Sequence, residues 1–114
     1  MQNSEGLSAI HFAAYWGNNE IIKFLMERSA DVFAKDKYGH NIIHIATQGD
    51  KVNTIHYLLK NFPFDANDWD IWESSPLHWA AYLNKEVSLC FLLAWGANPN
   101  VKDHEGNTPL HLAV

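Results

Sequence analysis

Apolar residues along this chain recur at alternating spacings of three and four in three separate stretches. The clearest runs Ile21, Ile22, Phe24, Leu25, a spacing that gathers them on one face of a helix. The same rhythm predicts second helices of a pair over roughly residues 20–28, 53–60 and 86–94. Ahead of each lies a shorter run that opens with helix-start chemistry. Ser8, Ser75 and Thr108 can cap free amides, and Asn41 marks the corresponding start in the second run. Pro76 and Pro109 stand at the first helical position, where a missing amide costs nothing and the fixed φ helps. The small pairs Ala13-Ala14 and Ala80-Ala81 let neighbouring helices approach closely.

The pattern is a repeat. His11, His44, His78 and His111 are spaced by 33, 34 and 33 residues, a period typical of stacked units. Asn3, Asp36, Asp70 or Asp103 precedes each histidine by eight residues. Gly6, Gly39 or Gly106 precedes it by five, with Glu73 as the exception. Asp36-Lys37-Tyr38-Gly39 and Asp103-His104-Glu105-Gly106 read as turns, the glycine supplying the unusual backbone angle. The extra residue of the second copy falls within Asn61-Phe62-Pro63-Phe64, where a loop absorbs it. No unit can bury its apolar face alone, so the copies must stack into a solenoid.

Ser75-Pro76-Leu77-His78-Trp79-Ala80-Ala81, Thr108-Pro109-Leu110-His111 and the closing Gly96-Ala97-Asn98-Pro99-Asn100 resemble the ankyrin repeat family. The resemblance runs the length of the chain. It implies an all-α fold of helix-turn-helix units joined by β-hairpin-like turns, about three and a half repeats in all. The expected units are 3–35, 36–69, 70–102 and a partial 103–114. Neither end has the polar face of a capping repeat, so a fragment of a longer protein is expected. A monomer is expected too, apart from end-to-end association through such ends.

Composition narrows the function. A net charge of −5 with scattered Lys and Arg leaves no footprint for nucleic acid. No apolar run approaches the roughly 18 residues of a membrane span, and Met1 to Glu5 lacks a secretory pattern. With its lone cysteine, Cys90, the chain suits a reducing compartment, and a cytosolic setting with no direct membrane contact is expected. Cys90 sits between Leu89 and Phe91, which predicts a buried, inert thiol.

Candidate chemistry does not assemble into a catalytic or metal site, and no cofactor is implied. Repeat histidines on neighbouring helices lie about 10 Å apart, too far to share zinc. The resemblance gives His11, His44, His78 and His111 a structural part instead, tethering adjacent loops. His40 and His44 have a helical metal spacing, but Asn41 between them starts the helix. Asp65 to Asp70 hints at a calcium loop, yet Asp70 and Pro76 stand where Gly and Glu are needed.

Ankyrin stacks bind proteins on a concave side made of turn tips and first-helix ends. Carried onto this chain, the rule selects the turn positions Ser4-Glu5, Lys37-Tyr38, Ile71-Trp72 and His104-Glu105. It also selects Tyr15-Trp16, Gln48 and Tyr82-Leu83 at helix ends, and Phe12, Ile45, Trp79 and Leu112 after each histidine. The expected contact residues are Tyr15, Trp16, Tyr38, Trp72, Trp79, Tyr82 and Leu83, since Trp and Tyr dominate binding hot spots. Trp79 is equally suited to packing between repeats. Trp95 falls at the opposite end of the second helix, and Trp69 has no assigned place.

Leu77-His78-Trp79-Ala80-Ala81-Tyr82 together with Leu93-Ala94-Trp95-Gly96 is similar to the ankyrin domains of Asp-His-His-Cys (DHHC) palmitoyltransferases. That likeness implies a domain on the cytosolic face of the Golgi or another endomembrane, recruiting substrates through short extended peptides. A Trp after the repeat His takes part there, and Trp79 is the match; Phe12, Ile45 and Leu112 depart from it. Acyl transfer itself would need a Cys-rich segment outside this chain. The other reading is an ankyrin adaptor for a folded partner.

Overall fold

The computed structural model describes residues 9–112; the turn positions Ser4-Glu5 and the cap Ser8 lie outside them. Among the described residues there are helices and no strands. The first helices are α1 (Ala9–Tyr15), α3 (Ile42–Gln48), α5 (Pro76–Tyr82) and α7 (Pro109–Leu112). The second helices are α2 (Asn19–Glu27), α4 (Val52–Asn61) and α6 (Glu86–Trp95), within a residue or so of the ranges predicted from periodicity. Seven-residue helices are too short to persist alone, so packing must hold them.

The first helices pack in succession, α1 on α3, α3 on α5 and α5 on α7, while α4 packs on α6. The stack measures 40 × 28 × 22 Å. Ile10, Ala14, Ile42, Ala46, Leu77 and Ala80 fill the seams between first helices, and Ile22, Ile55, Leu58 and Leu92 rise from the second layer. Polar ties cross the second layer too: Thr54 Oγ1 donates to Asn19 Oδ1 at 2.6 Å, and Ser88 Oγ donates to Asp50 Oδ1 at 2.6 Å. Cys90 corrects an expectation. Its side chain is exposed, because α6 buries only Ser88 and Leu92 and turns Val87 and Leu93 outward as well.

Each turn is organised by the repeated aspartate. Asp36 Oδ1 accepts from the amides of Tyr38 and His40, both at 2.9 Å. Asp70 Oδ1 takes Trp72 and Ser74 at 2.9 and 3.0 Å, and Asp103 Oδ1 takes Glu105 and Asn107 at 3.0 and 2.9 Å. Successive turns are then joined through the backbone, Ile71 N–H to Tyr38 O and His104 N–H to Trp72 O, each 2.9 Å. The glycine position has φ of 77° at Gly39 and 81° at Gly106, and Glu73 occupies the same region at 60°. A non-glycine residue there is strained by about 1 kcal/mol.

The repeat histidines bridge these turns. Nδ1 of His44, His78 and His111 accepts the amide of Asn41, Ser75 and Thr108 at 3.2, 3.0 and 3.1 Å. The proton therefore sits on Nε2. Nε2–H of His11, His44 and His78 reaches the carbonyls of Ala34, Ser74 and Asn107 at 3.0, 2.9 and 2.9 Å. His44 and His78 thus each cap their own helix and hold the turn of the next unit. His44 is fully buried, so His44→Ala is expected to cost about 2–4 kcal/mol in urea unfolding, combining a cavity with orphaned polar groups. Glu73→Gly is expected to stabilise the fold by about 0.5–1 kcal/mol by releasing the strained φ.

Candidate partner-binding face

The turns and the first helices carry a band of aromatic rings along one side of the stack. Tyr38 stacks on Trp72 with centroids 5.5 Å apart. Trp79 meets Trp72 edge-on at 6.3 Å and Tyr82 edge-on at 6.0 Å. At the other end Tyr15 and Trp16 meet edge-on at 5.3 Å. Tyr82 and Trp16 are respectively 65% and 69% exposed, so both offer most of a ring to solvent.

Two clefts open on this side. One, of about 270 Å³, lies between α1 and α3 and is lined by His11, Phe12, Tyr15, Trp16, Ile45 and Gln48. The other, of about 250 Å³, lies between α5 and α7 and includes Trp72, Trp79, Tyr82, Glu105 and Leu112. Of the contact residues expected from sequence, Tyr38 flanks the second cleft through its stacking on Trp72, and Leu83 lines neither. Trp69 is exposed. Trp95 packs on the second helices, stacked on Phe91 at 5.8 Å and edge-on to His56 at 6.0 Å.

Beneath the band lies a buried charge cluster that the pattern of the chain did not reveal. His40 Nδ1 is 3.0 Å from Asp36 Oδ2, and its Nε2 is 3.0 Å from Asp70 Oδ2. The second contact is off the N–H direction, leaving Nε2 without an aligned hydrogen bond, so charge rather than geometry carries it. Trp79 Nε1–H donates to the same Asp70 oxygen at 2.8 Å. Trp79 is therefore both packed and oriented: its N–H edge is fixed on Asp70, and its half-buried ring lies among His40, Trp72 and Tyr82. The signal for His40 was half visible. Asp36 lies four residues before it, but Asp70 arrives only when the next turn stacks.

The environment sets the protonation of this cluster. Burial pulls the His40 pKa down, but the Asp70 and Asp36 carboxylates outweigh it and raise it above 6.5. Burial pushes Asp70 up, and His40, the Trp79 indole and the Ser74 and Trp72 amides overcome that, holding it at about 2. His44 is driven down to about 4 by burial, against the Ser74 carbonyl. Burial likewise lowers His11, against the Ala34 carbonyl. Among the described residues no group of three or more His, Cys, Asp or Glu side chains is placed to hold a metal ion.

Helix pairs of this register, tied turn to turn by a recurring histidine, agree with the family comparisons. Profiles described as "Ankyrin repeats (3 copies)" and "Ankyrin repeats (many copies)" match residues 1–70 and 58–113. The chain belongs to the ankyrin repeat family. Its ankyrin relatives include Inversin of Canis lupus familiaris, 33% identical over 94% of this chain and 10% of Inversin. Palmitoyltransferase AKR1 of Lachancea kluyveri is 31% identical over 90% of this chain and 14% of that protein. A putative palmitoyltransferase ZDHHC13 of Danio rerio is 33% identical over 90% of this chain and 16% of that protein. The chain thus spans less than a fifth of each of these three relatives. As an ankyrin stack it is a protein–protein interaction domain, and none of its described helices is long and apolar enough to cross a membrane.

The shifted groups predict the pH dependence of folding. His40, raised in the folded state, contributes stability that is complete below 6.5 and is lost as pH rises through its folded value. His44 acts oppositely: the unfolded chain binds its proton first, so stability falls as pH drops from 6.5 towards about 4. Asp70 adds a further loss as pH falls from 3.8 towards about 2. Urea unfolding across pH is expected to show a maximum, with the alkaline decline absent in His40→Gln. A decline that persists in that variant would remove His40 as its origin.

Proposed function

We propose that the aromatic band of this ankyrin stack holds a short extended segment of a partner protein, and that the domain recruits substrates for a membrane protein S-acyltransferase. The observation that carries the first half is the anchored, half-open row of Tyr38, Trp72, Trp79 and Tyr82. Rigid aromatic rings give large contact area at small entropic cost, and Asp70 holds the Trp79 ring in place before any partner arrives. Pre-organisation of that kind lowers the cost of binding. The acyltransferase half is supported by the likeness to AKR1 and ZDHHC13 and by Trp79 after His78. On this reading the domain sits at the cytosolic face of the Golgi or another endomembrane, and Tyr15, Trp16 and Leu83 extend the contact.

A second reading is an ankyrin adaptor that docks a folded partner; it stands beside the first because Inversin, not named as an acyltransferase, is comparably similar. Peptide display against the purified domain separates the two. Enrichment of one short extended motif supports substrate recruitment, and failure to enrich any motif favours the folded partner. With an enriched peptide, Trp72→Ala and Trp79→Ala are each expected to weaken binding at least about tenfold. Trp95→Ala, on the second helices, is expected to change it less than about twofold. Equal losses in all three, or losses that track thermal stability, would assign the rings to packing.

A further inference from the structure

The repeated turn aspartate is compensated in one unit and left bare in the next. In the third unit Asp70 Oδ2 receives the Trp79 indole N–H at 2.8 Å and faces His40 at 3.0 Å. In the fourth unit Asp103 again spends Oδ1 on two backbone amides, of Glu105 and Asn107. There, however, Leu112 stands at the place of Trp79 and has no N–H to give. Among the described residues, no ion pair or side-chain donor reaches the second oxygen of Asp103. Glu105, exposed two residues on, is also free of ion pairs among the described residues.

Both carboxylates line the same cleft as Trp72, Trp79 and Tyr82; neither lysine nor arginine lines it, and its two histidines, His78 and His104, are bonded to the Asn107 and Trp72 carbonyls. Aromatic faces and carboxylates share one complement, a cation. A positive group over an aromatic face is worth about 0.5–2 kcal/mol, more as water is excluded. The carboxylate under the Trp79 edge draws its N–H and polarises the indole, which makes the exposed face more electron-rich. A cleft of about 250 Å³ has room for one long side chain.

We propose that the cleft between α5 and α7 receives the cationic side chain, lysine or arginine, of the bound segment. This deepens the peptide-binding reading and rests on it. The cleft between α1 and α3 has apolar and uncharged walls and takes an apolar side chain of the same segment. Two interhelical steps separate them, about 20 Å, which an extended chain covers in about six residues. The recognised sequence therefore has an apolar residue and a basic residue about six positions apart.

The cleft is tested directly with a small cation. Tetramethylammonium chloride is titrated into the intact 15N-labelled domain while the five Trp indole N–H signals are followed, at constant ionic strength set with sodium chloride. Saturable shifts of Trp72 and Trp79 are expected, with Trp16 and Trp95 unmoved. tert-Butanol, a neutral probe of similar shape, is expected to leave all of them in place. Glu105→Gln, a surface change, should raise the apparent Kd for tetramethylammonium about three- to tenfold. Equal shifts with tert-butanol, or no shift at Trp72 and Trp79, would overturn the cation site. Display then separates the two levels. An enriched motif without lysine or arginine refutes the cation site and leaves the peptide reading standing. Failure to enrich any motif refutes the peptide reading itself.

Discussion

The imidazole that links one unit to the next is the interaction on which the rest depends. One nitrogen satisfies the amide at the start of its own helix, and the other holds a carbonyl in the following turn. Buried polar groups need partners, and here a single side chain serves two units at once. Because that histidine is buried against the first helices, it also fixes how far apart successive turns stand. Everything displayed on the turns inherits the spacing.

The turn aspartate plays the complementary part within a unit. Its first oxygen closes the turn by taking two amides, a geometric duty identical at Asp36, Asp70 and Asp103. Its second oxygen is left to local chemistry, and here the units diverge. At Asp36 it meets His40, at Asp70 it meets His40 and Trp79, and at Asp103 no side chain competes for it among the described residues. A scaffold can therefore stay constant while the electrostatics of its surface change from unit to unit. The buried Asp-His-Asp cluster costs desolvation, and what it provides is a fixed ring at the centre of the aromatic band.

Much of the architecture was readable because it is local. Pro76 at a helix start, Ser75 before it and the three-and-four spacing of Ile21 to Leu25 act within a few residues, and the helices stand where those patterns place them. Contacts across units were harder. Asp70 and His40 lie thirty residues apart, and nothing in either neighbourhood announces that they meet. The two clefts gather several residues that the turn and helix-end rule selects, including Phe12, Gln48 and Glu105, because that rule follows the repeat period. Cys90 failed for the opposite reason. Apolar neighbours in sequence suggest burial, but on a helix those neighbours point elsewhere, and α6 keeps only a narrow flank covered.

The junctions between turns rest on a handful of contacts. Tyr38 to Ile71 and Trp72 to His104 are each joined by one main-chain bond, backed by a repeat-imidazole bond, by His40 on Asp70 at the first junction and His104 Nδ1 on the Trp72 carbonyl at the second, and by the helix seams. In a stack whose units touch only their neighbours, a pull along the axis is borne by these links in series. Such a stack yields link by link rather than all at once. It behaves as a graded spring whose weakest coil, and not the sum of its coils, sets the first extension.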